Sequence, residues 1–230
     1  MSKIGFFLLL FLSIQLNAAE LAYPRLYFSY SSLYDNVCSQ APDKVIDPLW
    51  VNEAIDQEQA FENMWLAEAP TLMSKLFELF DLGFQRKEMT ATLSVCPNTP
   101  SYSNPLILNV TRHLKSYMQD KPVRQAYQFA DLVFHELLHT WVKENLPWPS
   151  PMFEKYKAEV PVVRNHLHLM AVQQYVYTKL NRKDLLDWID LSYSKMPDKN
   201  YNRAWEIVSK IEGYQVFVEE FQKQPTTSVK

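Results

Sequence analysis

The stretch PVRQAYQFADLVFHELLHTWVKEN, residues 122–145, decides how the rest of the chain is read. Pro122 can open a helix, because a proline is harmless in a first turn whose N–H groups have no helical partner. No further proline and no glycine interrupts the run before Asn145. With His135 placed at zero and about 100 degrees per residue, Phe129, Val133, Ala126, Leu137, Ala130, Trp141, Phe134, Tyr127 and Leu138 fall on an arc from about 120 to about 300 degrees. Gln128 and Asp131 lie nearer the histidine face, with Leu132 and Val142 as apolar exceptions there. The pattern predicts a helix packed on most sides, with His135-Glu136-Leu137-Leu138-His139 pointing toward a gap. His135 and His139 are one turn apart on that face, so two imidazoles can reach one Zn2+. Glu136 lies beside them, where it can take a proton from water that the ion activates. Four of the five histidines stand between His135 and His168, which favours a site over scattered core residues.

Outward from this helix, the downstream half reads as helical, with breaks at Pro147–Pro151, near Pro161 and around Pro197. Upstream, Leu21 to Tyr30 suits a strand, with Pro24 near its start or on a sheet edge. Apolar residues recur at helical spacing from about Val51 to Phe80, a run that Pro70 is expected to divide into two helices, while Pro42 and Pro48 read as turn residues. Thr90–Cys96 alternates as a strand and Leu106–Val110 is a second short one, close enough in sequence to pair with it. The fold class that follows is α+β, predominantly helical: a small sheet precedes the central helix and a helical C-terminal half follows it. No repeat, low-complexity tract or long linker divides the chain, so residues 20–230 are expected to form a single domain.

Composition narrows the function. The chain has 230 residues, 47% of them hydrophobic and 21% charged, which suits a folded core rather than disorder. Its 23 basic and 26 acidic residues give a net charge of -3 and no electrostatic pull toward nucleic acid. Gly5, Gly83 and Gly213 are the whole glycine supply. Glycine-rich phosphate loops and the G-x-S-x-G hydrolases are thereby excluded.

Residues 1–19 read as a secretory signal: Lys3, an apolar run from Ile4 extending to Ile14 and too short to span a bilayer, then small Ala18 and Ala19 before the cut. An uncleaved N-terminal anchor is the competing reading. The mature chain is expected to be secreted or periplasmic, with no stable membrane anchor after cleavage. In such an oxidising compartment Cys38 and Cys96, the only thiols, are expected to form a disulfide rather than remain buried and free.

The pentapeptide resembles the active-site signature of the zincin metallopeptidases, whose substrate lies along a nearby sheet edge. The resemblance covers these five residues and, more loosely, the order of strands, active helix and downstream helices. It implies His135 and His139 as zinc ligands, Glu136 as general base, and a peptide or protein substrate. The longer metzincin form H-E-x-x-H-x-x-G-x-x-H is not met, since Val142 replaces its glycine and Asn145 its third histidine. A catalytic zinc needs a third protein ligand. Glu159 lies twenty residues beyond His139, similar to gluzincin spacing, but Pro161 places it before a helix rather than within one. His166 falls in the second turn of the helix that Pro161 can start, and His168 points about 200 degrees away from it. His166 is the preferred ligand, with Glu159 and His168 as alternatives.

Asp131, one turn before His135, is placed either to orient a ligand imidazole or to serve as a solvated cap. Tyr175 and Tyr177 read as core residues rather than oxyanion stabilisers. Asn109-Val110-Thr111 is a glycosylation sequon for a host that glycosylates exported proteins. The expected activity is exported, zinc-dependent peptide-bond hydrolysis. The rival is a non-catalytic exported binding protein whose histidines hold a structural metal or simply pack.

Overall fold

A computed structural model describes residues 23–223, so the expected leader at residues 1–19 lies outside the described residues. β1 (Arg25–Tyr30) begins just after Pro24 and buries Leu26 between exposed Arg25 and Tyr27, the alternation of a strand covered on one face. α1 (Ser32–Cys38), α2 (Pro48–Asp56) and α3 (Glu58–Phe80) then carry the chain back to β2 (Glu88–Ser94). A two-residue β3 (Tyr102–Ser103) and β4 (Leu106–Asn109) complete a sheet of order β1-β2-β4-β3. β1 and β2 run parallel, Arg25 opposite Glu88 and Tyr30 opposite Leu93, which requires the long helical crossover between them. The strands expected near Thr90–Cys96 and Leu106–Val110 do pair, in parallel, with Thr92 opposite Ile107. β3 is antiparallel to β4 and forms the outer edge.

After a 3-10 turn (Thr111–His113) and α4 (Lys115–Met118), the helical half comprises α5 (Ala126–Asn145), α6 (Pro151–Lys155), α7 (Pro161–Lys179), α8 (Lys183–Lys195), α9 (Lys199–Glu206) and α10 (Tyr214–Gln222). A π-helical turn, Ile207–Ile211, follows α9. The class is predominantly helical α+β.

Three prolines act differently from the expectation. Pro70 does not divide α3, which is continuous. It lies on the exposed side, as does Leu66, whose carbonyl loses its helical partner, while Phe61, Trp65, Ala69, Leu72, Met73 and Leu76 are buried on the opposite side. Packing of that face outweighs the ~3 kcal/mol cost of an interior proline. Pro48 opens α2 instead of ending a turn, because Asp47 accepts the Leu49 N–H as its N-cap. Pro122 precedes α5 by four residues; the helix starts at Ala126 because Gln125 and Gln128 form a capping box there.

The core runs through α5. Phe129 stacks against Phe61 of α3 at 4.8 Å and near Phe28 of β1 at 6.0 Å, while Trp141 meets Phe80 and Phe221 at 5.0 Å each. His113, the one histidine ahead of α5, belongs to this core. Its ring lies edge-on to Phe61 and Phe129, neither nitrogen has a partner, and burial, with Arg124 nearby, lowers its pKa to about 3.

Cys38 and Cys96 are joined, Cα–Cα 6.1 Å apart across 58 residues, tying α1 to the end of β2. Closing a loop of that length restricts the unfolded chain by about 4 kcal/mol. Cys38→Ser is therefore expected to lower the unfolding free energy by about that amount in a denaturant titration, and reductant should lower the wild type equally. A smaller loss than ~1 kcal/mol would show that the unfolded chain is already compact. The side chain of Asn109 donates from Nδ2 to the carbonyls of Cys96 (2.6 Å) and Thr99 (2.8 Å). Its amide is thus engaged in the loop and not presented as a glycosylation acceptor. The disulfide is compatible with an exported protein, and no helix among the described residues is long and apolar enough to cross a membrane.

Candidate metal centre

α5 and α7 pack antiparallel, and polar pairs mark the contact: Asp131 meets Tyr177, His135 meets Gln173, and His139 meets His166. Pro161 at the first position of α7 sets where that helix begins, and so brings His166 level with His139. The three rings converge, with centroids 5.3 Å apart for His135 and His139, 5.4 Å for His135 and His166, and 4.7 Å for His139 and His166. One ligand nitrogen from each lies within 4.8 Å of the others, so the cluster could hold a metal ion.

Hydrogen bonds decide which nitrogens face inward. His166 donates from Nδ1 to the Val162 carbonyl at 2.6 Å, leaving Nε2 buried and without a protein partner. A buried lone pair with nothing to accept from is costly unless a cation occupies the space in front of it. His135 directs Nδ1 to Gln173 Oε1 at 3.3 Å. The amide of Gln173 is turned that way because its Nε2 donates to Asp131 Oδ1 at 2.7 Å, the same oxygen that accepts the Tyr177 hydroxyl. Asp131 therefore orients His135 through Gln173 rather than directly. The Tyr193 hydroxyl lies 3.4 Å from the same His135 nitrogen.

The electrostatics fit metal ligation. Burial, then the neighbouring His139 and His166, holds His135 well below its ordinary 6.5. Burial, then His166, lowers His139 to about 3, and burial lowers His166 despite its bond to Val162. All three are neutral imidazoles near pH 7, the form that coordinates. Glu136 follows His135 directly and is 6% exposed; burial pushes its carboxyl up to about 8. Two tyrosines complete the surroundings. Tyr201 of α9 lies 4.6 Å from the His166 ring and 5.9 Å from that of Tyr193. Its phenol is raised to about 12, first by burial and then by Glu136 and Asp198.

The two alternative ligands are engaged elsewhere. Glu159 accepts from Arg203 Nη2 at 2.9 Å and Nε at 3.1 Å. His168, two residues from His166, turns away and donates from Nε2 to Glu220 Oε2 at 3.0 Å, where Ser150 also donates at 2.6 Å. Ser150 is wholly buried and caps α6 through the Phe153 N–H, so the Ser150, His168 and Glu220 group is a clamp between α6, α7 and α10 rather than a nucleophilic site.

Burial works against the Glu220 charge, but hydrogen bonds from His168, Ser150 and the Met152 N–H outweigh it and hold the carboxyl below its ordinary 4.5. A value lower in the fold than in the unfolded chain adds stability above about pH 4.5 and loses it as pH falls through the folded value. Glu220→Ala is expected to cost about 3 kcal/mol near pH 7, with the difference from wild type shrinking on acidification and the bound metal unchanged. Loss of metal in this variant would mean that the clamp also sets the site. Gln173→Ala should do the reverse, weakening metal affinity about 10- to 100-fold through the unanchored His135 ring, as a competitive chelator titration would read.

Gln173 was legible in principle, as a buried amide two turns after His166 on the same helical face. Tyr193 and Tyr201 lie on later helices and carry no sequence signal. Tyr177, read as core, is fully buried and closes the Asp131 bond, while Tyr175 stacks with Tyr214 at 5.6 Å.

No family model matches the chain, and neither the curated proteins nor the solved structures contain a match. The functional reading rests on the site itself.

Proposed function

We propose that the protein is a zinc-dependent peptidase that hydrolyses peptide bonds, with His135, His139 and His166 as metal ligands and Glu136 as general base. The observation that carries this reading is the convergence of three neutral imidazoles around one point, with the Nε2 of His166 buried and unpartnered. An all-imidazole donor set suits zinc. When bound, the ion would polarise a carbonyl and lower the pKa of water in the site.

The chain's own residues supply the rest. Glu136 accepts the proton of the attacking water and passes it to the leaving amine nitrogen. β3, the outer edge of the sheet, offers backbone groups along which an extended peptide can lie, close to α5. Tyr201, beside His166 and Glu136, is placed to donate a hydrogen bond to the oxygen that gains charge.

A structural metal fills all its positions with protein ligands. Here the cluster has three members among the described residues, and Glu159, the carboxylate that could have joined His166 on the ion, is paired with Arg203. That favours an open site over the closed shell of a binding protein. The test is metal analysis of the purified mature protein together with cleavage of unfolded casein. About one zinc per chain is expected, with activity removed by 1,10-phenanthroline and restored by zinc. Stoichiometric zinc with no hydrolysis would favour the structural-metal reading.

A further inference from the structure

A cleft of about 410 Å³ opens directly beside His139. One wall is the last two turns of α5, where Lys143 follows His139 by one turn on the same face; the other is formed by Arg86 and by Ser103 and Asn104 at the end of β3. A peptide lying on the β3 edge with its scissile bond at the histidine cluster would drop a neighbouring side chain into this space.

The cleft's charges are unevenly used. Lys143 is exposed and has no acidic partner among the described residues. Arg86 comes no nearer to a carboxylate than 4.0 Å, from its Nε to Glu144 Oε1, beyond hydrogen-bond distance. Glu144 Oε1 thus makes a long ion pair with Arg86, while its Oε2 accepts the Gln85 N–H at 2.9 Å. Lys143 has a reason of its own to be there, since the exposed carbonyls at the end of α5 favour a cation. Arg86, in the segment between α3 and β2, has only its long pairing with Glu144. Two cations and one carboxylate therefore line the cleft, which leaves it one positive charge in excess, in a chain whose net charge is negative. Amide and hydroxyl groups from Asn104, Ser103 and Thr140 line the remainder, and no large apolar side chain does.

We propose that this cleft is a specificity subsite that takes an acidic side chain of the peptide substrate, adjacent to the bond cleaved, through Arg86 and Lys143. The proposal rests on the peptidase reading for its substrate class, so binding and cleavage are to be measured separately. Zinc-loaded Glu136→Gln protein is titrated into fluorescein-labelled peptides that differ only in carrying Glu, Gln or Lys at one position, and anisotropy is recorded. The Glu peptide should bind roughly tenfold more tightly than the Gln peptide, a preference that fades with added salt. The added substitutions Arg86→Glu and Lys143→Glu, both at exposed positions, should reverse the order in favour of the Lys peptide at unchanged zinc content, with the melting temperature lowered by no more than about 4 °C for the lost cation at the end of α5.

The same peptides are then given to zinc-loaded wild type and the products identified by mass spectrometry. Equal affinity for Glu and Gln peptides, or cleavage with no preference for an acidic neighbour, overturns the subsite and leaves the peptidase reading standing. Charge-selective binding that Arg86→Glu and Lys143→Glu reverse, without any cleavage, supports the subsite and overturns the peptidase reading. Neither binding nor cleavage overturns both.

Discussion

Glu136→Gln is expected to lower peptide hydrolysis by a factor of about 10² to 10⁴ at unchanged zinc content. Burial alone raises the Glu136 carboxyl, so no side-chain hydrogen bond commits it to a structural task. Glutamine keeps the shape and removes the proton acceptor. Burial already keeps this carboxyl largely neutral near pH 7 in the metal-free protein, and glutamine is neutral too, so the variant should be about as stable as the wild type. The two readouts move independently, which separates loss of chemistry from loss of fold. A variant that keeps its zinc and still hydrolyses casein at the wild-type rate would remove Glu136 from the mechanism.

His166→Ala should abolish stoichiometric zinc binding, and with it activity. Two imidazoles on α5 would remain, against the three protein ligands usual for a catalytic zinc. The loss in affinity should exceed the 10- to 100-fold expected for removing an orienting group such as Gln173. A second consequence concerns stability. If zinc is present at about a thousand times its dissociation constant, it adds about 4 kcal/mol to the folded state, and this variant should lose that increment while the metal-free proteins differ little. His168→Ala provides the contrast, because it breaks the clamp with Glu220 and should lower the melting temperature while leaving zinc in place. If His168→Ala lost the metal and His166→Ala kept it, the ligand set would have to be redrawn around α7.

The candidate site was legible to different depths. His135, Glu136 and His139 stand together because a five-residue helical segment holds its own geometry: one turn fixes the two imidazoles regardless of what surrounds them. The third member was legible only as a choice among Glu159, His166 and His168. Helical phase separated His166 from His168, but nothing local says that Arg203 engages Glu159 or that Glu220 engages His168, since those partners come from α9 and α10. Prolines misled for a similar reason. Pro70 reads as a break because an interior proline forfeits a hydrogen bond, yet α3 buries one face so completely that tertiary packing overrides the local penalty. Asn109 reads as a sequon until the disulfide loop places two carbonyls against its amide.

By itself, then, the sequence determined what depends on neighbours within a turn or two: the α5 helix with its histidine face, the strand-then-helix order, and the class of chemistry that the pentapeptide allows. Only the tertiary structure decided that α7 lies antiparallel to α5 with His166 level with His139, that Gln173 holds His135 in place, and that Arg86 and Lys143 share a cleft beside the site. Those outcomes depend on how helices distant in sequence pack, and that is set by the shape of the whole core rather than by any local pattern.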